Sequence, residues 1–451
     1  MRQTLYKNLS MKNFIKILND IWKIEELKNK ILLTLGLIAV YRFMAGVPLP
    51  GIDPLQLSAL KASTQEGLLG LLNAFTGGAF SRASIMALGI MPYISASIVV
   101  QLMGIAVPYL QKLQKDGESG RKKITQITRW LTILITMVQG PTYIAAIQNT
   151  FGLPPEAFLV TGATFWISSM ILLTTGTIFA MWLGERITDK GVGNGISLLI
   201  TVGIIANFPG AFLQEYVAKT TNAGAGGVMM ILIEIITWFV VILLSVYLVT
   251  AVRKIPVQYA RRTVSGNMQS IAGSRDYIPL KLNAAGVMPI IFAQAIMFLP
   301  MALASKFPAL QDSQDPFGFW YNVIFAILIV IFSFFYTAIT IPTNKMAEDL
   351  KKSGGFIPGI RPGKDTAERL DTVLSRITFP GSLFLAGLSV LPAIIAQFKV
   401  QPNWALFYGG TSLIIMVGVA IDTIQQINSY LLNRHYDGLM KTGNSNRKSS
   451  K

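Results

Sequence analysis

Cysteine is absent from the 451 residues, and histidine occurs once, as His435. Disulfides and thiolate metal sites are excluded, and histidine-based metal or general-base chemistry has almost nothing to work with. Charge is also scarce. Asp, Glu, Lys and Arg make up 14% of the chain and hydrophobic residues 52%, whereas about a quarter of a soluble globular chain is charged. No GxxxxGK[ST] phosphate loop occurs, and no Ser, His and Asp constellation can be assembled around a single histidine near the C-terminus. These absences argue against an enzyme, a metal site or a cofactor, and for a polytopic membrane protein.

What is present is long apolar runs. Ten of them recur, at 31–47, 85–105, 130–147, 165–183, 196–213, 228–252, 283–303, 320–341, 379–398 and 407–424, each near the roughly 20 helical residues that cross a hydrocarbon core. The basic residues test that count. Of the 39 Lys and Arg, 33 fall in the N-terminal segment, in alternate loops and in the C-terminal tail; five lie in the intervening loops, and Arg42 sits inside the first run. Such alternation is the positive-inside pattern. It places both termini in the cytoplasm, and it makes the net +17 a record of topology rather than of nucleic-acid binding. Residues 1–30 read as a basic amphipathic cytoplasmic segment without a cleavage site, with Met11 as an alternative start.

The resulting expectation is an all-α polytopic membrane protein of ten transmembrane helices in two pseudo-symmetric halves of five. The N-terminal half covers 31–221, an external glycine-rich loop 222–227, the C-terminal half 228–424 and a basic cytoplasmic tail 425–451. Two inner loops, 253–282 and 342–378, are longer than orientation requires and read as protrusions that meet a partner. One stretch, 67–101, combines two objects. Residues 67–80 are apolar but too short to span, and the run that follows carries Pro92, Tyr93, Ser95, Ser97 and Gln101. A short apolar segment enters a membrane only where protein surrounds it; the residues alone also allow a segment lying on the outer surface.

Four stretches carry a resemblance: SIMALGIMPYISASIVVQ at 84–101, WLGERITDKGVGNGISLLI at 182–200, KKSGGFIPGIRPG at 351–363 and GGTSLIIMVGVAID at 409–422. They resemble the SecY family, the channel-forming subunits of bacterial Sec protein translocases, and the resemblance covers essentially the whole chain in order. It implies a protein-conducting channel in the plasma (inner) membrane that passes unfolded secretory polypeptides and releases transmembrane segments sideways through a lateral gate. It matches Gly67, Leu68, Leu69, Leu71, Leu72, Phe75, Gly77 and Gly78 to a plug, and Ile90, Ile94, Ile200, Ile291 and Ile415 to an aliphatic pore ring. A narrow apolar ring sheds water and closes around a passing chain without binding it strongly. Asn283 matches a polar gate residue, with Gln101 a candidate opposite it; ordinary helix packing explains Gln101 equally well.

The same resemblance makes the inner loops docking sites for the SecA motor ATPase or the ribosome. Arg361 at the PGIRPG tip is the foremost contact, and Arg261, Arg262, Lys351 and Lys352 support it; these four are also explained as orientation determinants. One departure is visible: the first protrusion reads RRTVSGNMQSIAGSRDY, without a second basic pair near 265–268. Implied partners are SecE, SecG, signal sequences, membrane lipids and a second channel copy. The competing readings are a secondary transporter and a scramblase or insertase relative. A coupled transporter places ionisable residues near the bilayer midplane. Here Glu234 is the carboxylate set well inside an apolar run, toward its outer end, and it reads as a packing or partner contact.

Overall fold

The structure, a computed structural model, describes residues 24–57, 73–149, 155–160, 162–221, 227–259, 275–304, 317–398 and 400–448, with the single positions 22, 60 and 70. The helices are α1 (Glu25–Met44), α2 (Met91–Ala106), α3 (Pro108–Lys115), α4 (Gly117–Asn149), α5 (Ala163–Lys190), α6 (Gly195–Thr221), α7 (Gly227–Thr250), α8 (Met288–Ala304), α9 (Phe319–Thr340), α10 (Thr343–Lys352), α11 (Lys364–Ala396), the single turn α12 (Pro402–Ala405) and α13 (Gly410–Lys448). Each of the ten apolar runs lies on one of them. Among the described residues seven helical stretches are long and apolar enough to cross a membrane, and an eighth is the pair Met91–Gly104 and Pro108–Gln114, bent by 102°. The bend has a local cause, since Val107 precedes Pro108 and is extended (φ −102°, ψ 114°), as a residue before proline prefers. Helices α1 and α8 carry the other two runs.

Two helices begin five or more residues later than their apolar runs do. The run expected from 85 forms a helix only from Met91, because Ala83 (φ +45°) and Gly89 (φ +52°) hold the approach in left-handed turns. The run expected from 283 becomes α8 at Met288, after Gly286 at φ +63°. Pro92 and Pro289 sit second in their helices, where a missing N–H costs nothing.

The described residues form two compact units, Met1–Gln65 with Leu72–Asn207 and Val419–Lys451, and Glu66–Leu71 with Phe208–Gly418. In the first, Tyr41, Ala45, Ala79, Met86, Ile90, Ala180, Leu183, Ile187 and Leu199 make a buried cluster drawn from α1, the segment 76–90, α5 and α6. Lys30 Nζ donates to Tyr430 Oη at 2.9 Å. The start of the first run thus meets the chain just past the last.

The turn between α5 and α6 explains the 182–200 motif. Asn194 Oδ1 accepts the N–H groups of Ile196 and Ser197 at 3.2 and 3.3 Å and caps α6. Thr188 Oγ1 donates to Gly184 O and accepts from Gly195 N, both at 2.9 Å. The helices touch backbone to backbone there: a Cβ on Gly195 would collide with Gly184 O, and one on Gly184 would lie 2.8 Å from Ile196 Cγ1.

The second unit departs from an all-helical chain in one place. Strands β1 (Val252–Tyr259), β2 (Arg275–Lys281) and β3 (Gly355–Phe356) form an antiparallel sheet in the order β2-β1-β3, with Ile255 opposite Ile278 and Gln258 opposite Phe356. Ile255, Val257, Leu280, Ile357, Leu370 and Leu374 close a small core beneath it. The described parts of the two long loops, 253–282 and 342–378, therefore fold as one body, built from β1, β2, α10, β3 and the first turns of α11.

Candidate functional site

In the first unit, Ile90 and Ile200 are buried and Ile94 is half-buried. Ile90 is the residue before α2, and its carbonyl accepts the Ile94 N–H at 3.1 Å, so the pair stacks on one face as the i, i+4 spacing predicts. In the second unit, Ile291 lies half-buried on α8 and Ile415 buried on α13.

Of the stretch read as a plug, Gly67, Leu68, Leu69, Leu71 and Leu72 lie outside the described residues, whereas Phe75, Gly77 and Gly78 lie within them. Residues 73–75 make one helical turn and 76–90 run as turns, with Gly77 at φ +65° and Gly78 at φ +85°. Such backbone is buried only where its polar groups are satisfied. Internal turns supply part of that, including Gly78 N to Asn73 O (2.9 Å) and Gly77 N to Ala74 O (3.1 Å). Side chains from three helices supply more. Arg42 Nη1 of α1 donates to Gly77 O at 3.0 Å. Asn207 Nδ2 of α6 donates to Asn73 O at 3.3 Å and Ala74 O at 3.4 Å. Tyr143 Oη of α4 donates to Phe80 O at 2.8 Å, its ring 4.8 Å from that of Phe80.

The two residues matched to the gate are placed differently. Gln101 is half-buried on α2 and donates from Nε2 to Ser97 Oγ at 3.2 Å. Asn283 precedes α8 and is buried, and its Oδ1 has no hydrogen-bond partner among the described residues. Of the docking residues, Arg261 and Arg262 lie outside the described residues. Lys351 and Lys352 are exposed in the last turn of α10, where cations also favour the helix dipole. Arg361 is exposed. It follows a tight turn in which Ile360 N donates to Ile357 O at 3.1 Å, Pro358 takes the second position and Gly359 the third at φ +81°, the arrangement of a type II turn.

Sequence reasoning missed a buried ionic cluster in the second unit. Lys219 Nζ lies 3.5 Å from Glu215 Oε1 and 3.3 Å from Glu234 Oε1, the three side chains being 3%, 1% and 5% exposed. Glu215 Oε2 also accepts the Gln401 N–H at 2.8 Å. An aromatic box surrounds this end of the unit: Phe208 lies 5.3 Å from Trp238 and 5.4 Å from Trp404, Trp404 lies 5.9 Å from Tyr408, and Trp238 Nε1 donates to Phe407 O at 3.0 Å. The available signals were Glu215 and Lys219 four apart on one helix, and Glu234 inside an apolar run. Arg42, Asn207 and Tyr143 were missed as well, although an arginine inside an apolar run is itself a signal. Among the described residues no group of three or more His, Cys, Asp or Glu is arranged to hold a metal ion.

Comparison with known proteins gives the family. The SecY family profile matches residues 84–424. The chain is 40% identical to the protein translocase subunit SecY of Streptomyces galbus over 92% of its own length and 97% of that protein's. It is 39% identical to that of Bacillus subtilis strain 168, over 94% and 99%, and 38% identical to that of Aquifex aeolicus, over 94% and 99%. Two solved structures share the fold. One is described as the structure of a protein conducting channel (TM-score 0.61, 20% identity, 89% of this chain and 91% of that one). In the other, the plug domain of the SecY protein is said to stabilise the closed state of the translocation channel and to maintain a membrane seal (TM-score 0.63, 20% identity, the same coverage). On these matches, spanning nearly all of its length, the chain belongs to the SecY family.

Proposed function

We propose that this chain is the protein-conducting channel of a Sec translocase. It conducts unfolded secretory polypeptides across the plasma membrane and releases transmembrane segments sideways through a lateral gate that includes Gln101 and Asn283. The observation that carries the reading is the buried, turn-rich segment 73–90, whose carbonyls are held by side chains of α1, α4 and α6 in a chain 40% identical to a protein translocase subunit. A bilayer tolerates such backbone only where protein encloses it, which is what a plug requires. Residues 67–80 are that plug, and Ile90, Ile94, Ile200, Ile291 and Ile415 form the constriction it backs. The loop 222–227 serves as the hinge between the halves. No covalent chemistry is involved; a motor, translation or the membrane potential supplies the energy.

The partners follow from the same reading. SecE and SecG complete the membrane complex, and SecA or the ribosome docks on Arg361, Lys351 and Lys352 together with Arg261 and Arg262. A solved structure of Sec61 in a canine ribosome-channel complex shares the fold (TM-score 0.56), which supports a ribosome as one occupant of that face. Signal sequences and lipids meet at the gate, a second channel copy is a further partner, and both termini face the cytoplasm. The test uses the absence of cysteine. A single cysteine at Ile90 or Ile415 is expected to crosslink to a stalled secretory polypeptide, while a lipid-facing control on the same helix does not. Labelling by small solutes or lipids alone would overturn the reading in favour of a transporter or scramblase.

A further inference from the structure

The donors that hold segment 73–80 have a property of their own. In the Arg42 contact a full positive charge meets a neutral backbone carbonyl, and Arg42 has no ion pair among the described residues. Asn207 forks across two successive carbonyls, and Tyr143 takes a third position, Phe80. Four carbonyls within eight residues are thus held by three helices that are far apart in sequence. Gly77, one of the points of attachment, and Gly78 are both left-handed, and a Cβ on Gly77 would collide with Arg42 Nη1 and lie 2.8 Å from Gly203 Cα. Gly203 on α6 faces them without a side chain: a Cβ there would sit 2.6 Å from Phe75 O and 3.2 Å from Gly77 N. The segment is therefore fastened by polar contacts from three helices and by close backbone packing against α6.

We propose that Arg42 and Asn207, with Tyr143, are positioning residues that clamp the root of the plug and set the threshold at which it leaves. The inference rests on the plug reading of 67–80. Carbonyl contacts suit this role better than a salt bridge would, because a buried ion pair broken on opening leaves two uncompensated charges. Losing one hydrogen bond to a charged donor raises the released population about tenfold or more. The clamp thus makes the resting seal a property of the first unit's side chains as well as of the apolar plug.

The test is resting ion conductance of the reconstituted channel complex in planar bilayers with no translocating chain, measured beside the thermal unfolding midpoint. Arg42→Met and Asn207→Leu each remove donors while keeping bulk. Each is expected to raise the open fraction about tenfold and to admit chains with defective signal sequences, and Arg42→Lys is expected to restore most of the seal. A channel lacking 67–72 should leak, and Arg42→Met added to that deletion should raise the leak little further. If both single variants lower the unfolding midpoint with parental conductance, the side chains are merely structural and the clamp is overturned. The same holds if the deletion leaks and neither variant does. If the deletion itself conducts no more than the parent, the plug reading fails first.

Discussion

Lys219 Nζ lies 3.3 Å from Glu234 Oε1, and the two residues flank the connection 222–226 from the last turns of α6 and the second turn of α7. With Glu215 on the same ammonium, one cation serves two buried carboxylates. Removing one partner of a buried ion pair costs about 3–5 kcal/mol because the other charge is stranded. Lys219→Met should therefore destabilise the protein by about that amount, whereas Glu234→Gln leaves a matched Glu215 and Lys219 pair and should cost clearly less. Thermal unfolding of the detergent-purified complex orders the two, and equal midpoints for Lys219→Met and the parent would refute the account.

Arg361 is exposed at the end of a rigid turn, so its substitution should leave folding within about 0.5 kcal/mol. Arg361→Glu is expected to weaken binding of a motor or ribosome at least tenfold through charge reversal at the contact. Channel abundance in the membrane should stay parental. Vesicle-binding and export assays read both quantities, and normal export would remove Arg361 from the docking face.

Gly359 has nothing within 4 Å of where a Cβ would be built, yet its φ is +81°. Gly359→Ala therefore isolates backbone strain of about 1–2 kcal/mol without a clash. The expected effect is a several-fold loss of partner affinity, through a poorer presentation of Arg361, with a loss of stability no larger than that strain. An affinity equal to the parent's would show that the turn is not part of recognition.

Leu370 is buried on α11 beneath the small sheet. Leu370→Ala should cost about 2–5 kcal/mol by opening a cavity, and the loss should stay local. Hydrogen exchange is expected to accelerate across β1 and β2 while α4 and α5 stay protected. Uniform acceleration would mean that this core is not a separate folding unit.

The parts that could be read from sequence are those that local pattern dictates. The ten runs were visible because length and apolarity suffice to mark them, and the basic loops confirmed their alternation. The Arg361 tip was visible because proline and glycine name their turn. The late starts of α2 and α8 were hidden, since Gly89 and Gly286 interrupt otherwise apolar runs and only their positive φ values show it. The sheet was hidden by Pro256 and Pro279, which weaken any strand reading; Pro256 is accommodated because β3 pairs only with Gln258 and Tyr259. The ionic cluster was half visible. Glu215 and Lys219 have pairing distance along one helix, but their burial depends on Glu234 from the next helix and on the backbone of Gln401, distant in sequence.

The backbone contact between Gly184 and Gly195 has a consequence for inheritance as well as for mechanics. Every missense change of a glycine codon adds a Cβ, and at both positions that atom meets the opposite helix at less than ordinary contact distance. The start of α6 is thus seated directly on the backbone of α5 at Gly195, and no larger residue there fits without moving that backbone. Gly195 is closed to stepwise variation because it meets backbone, whereas a change at Gly184 has to be matched by the Ile196 side chain.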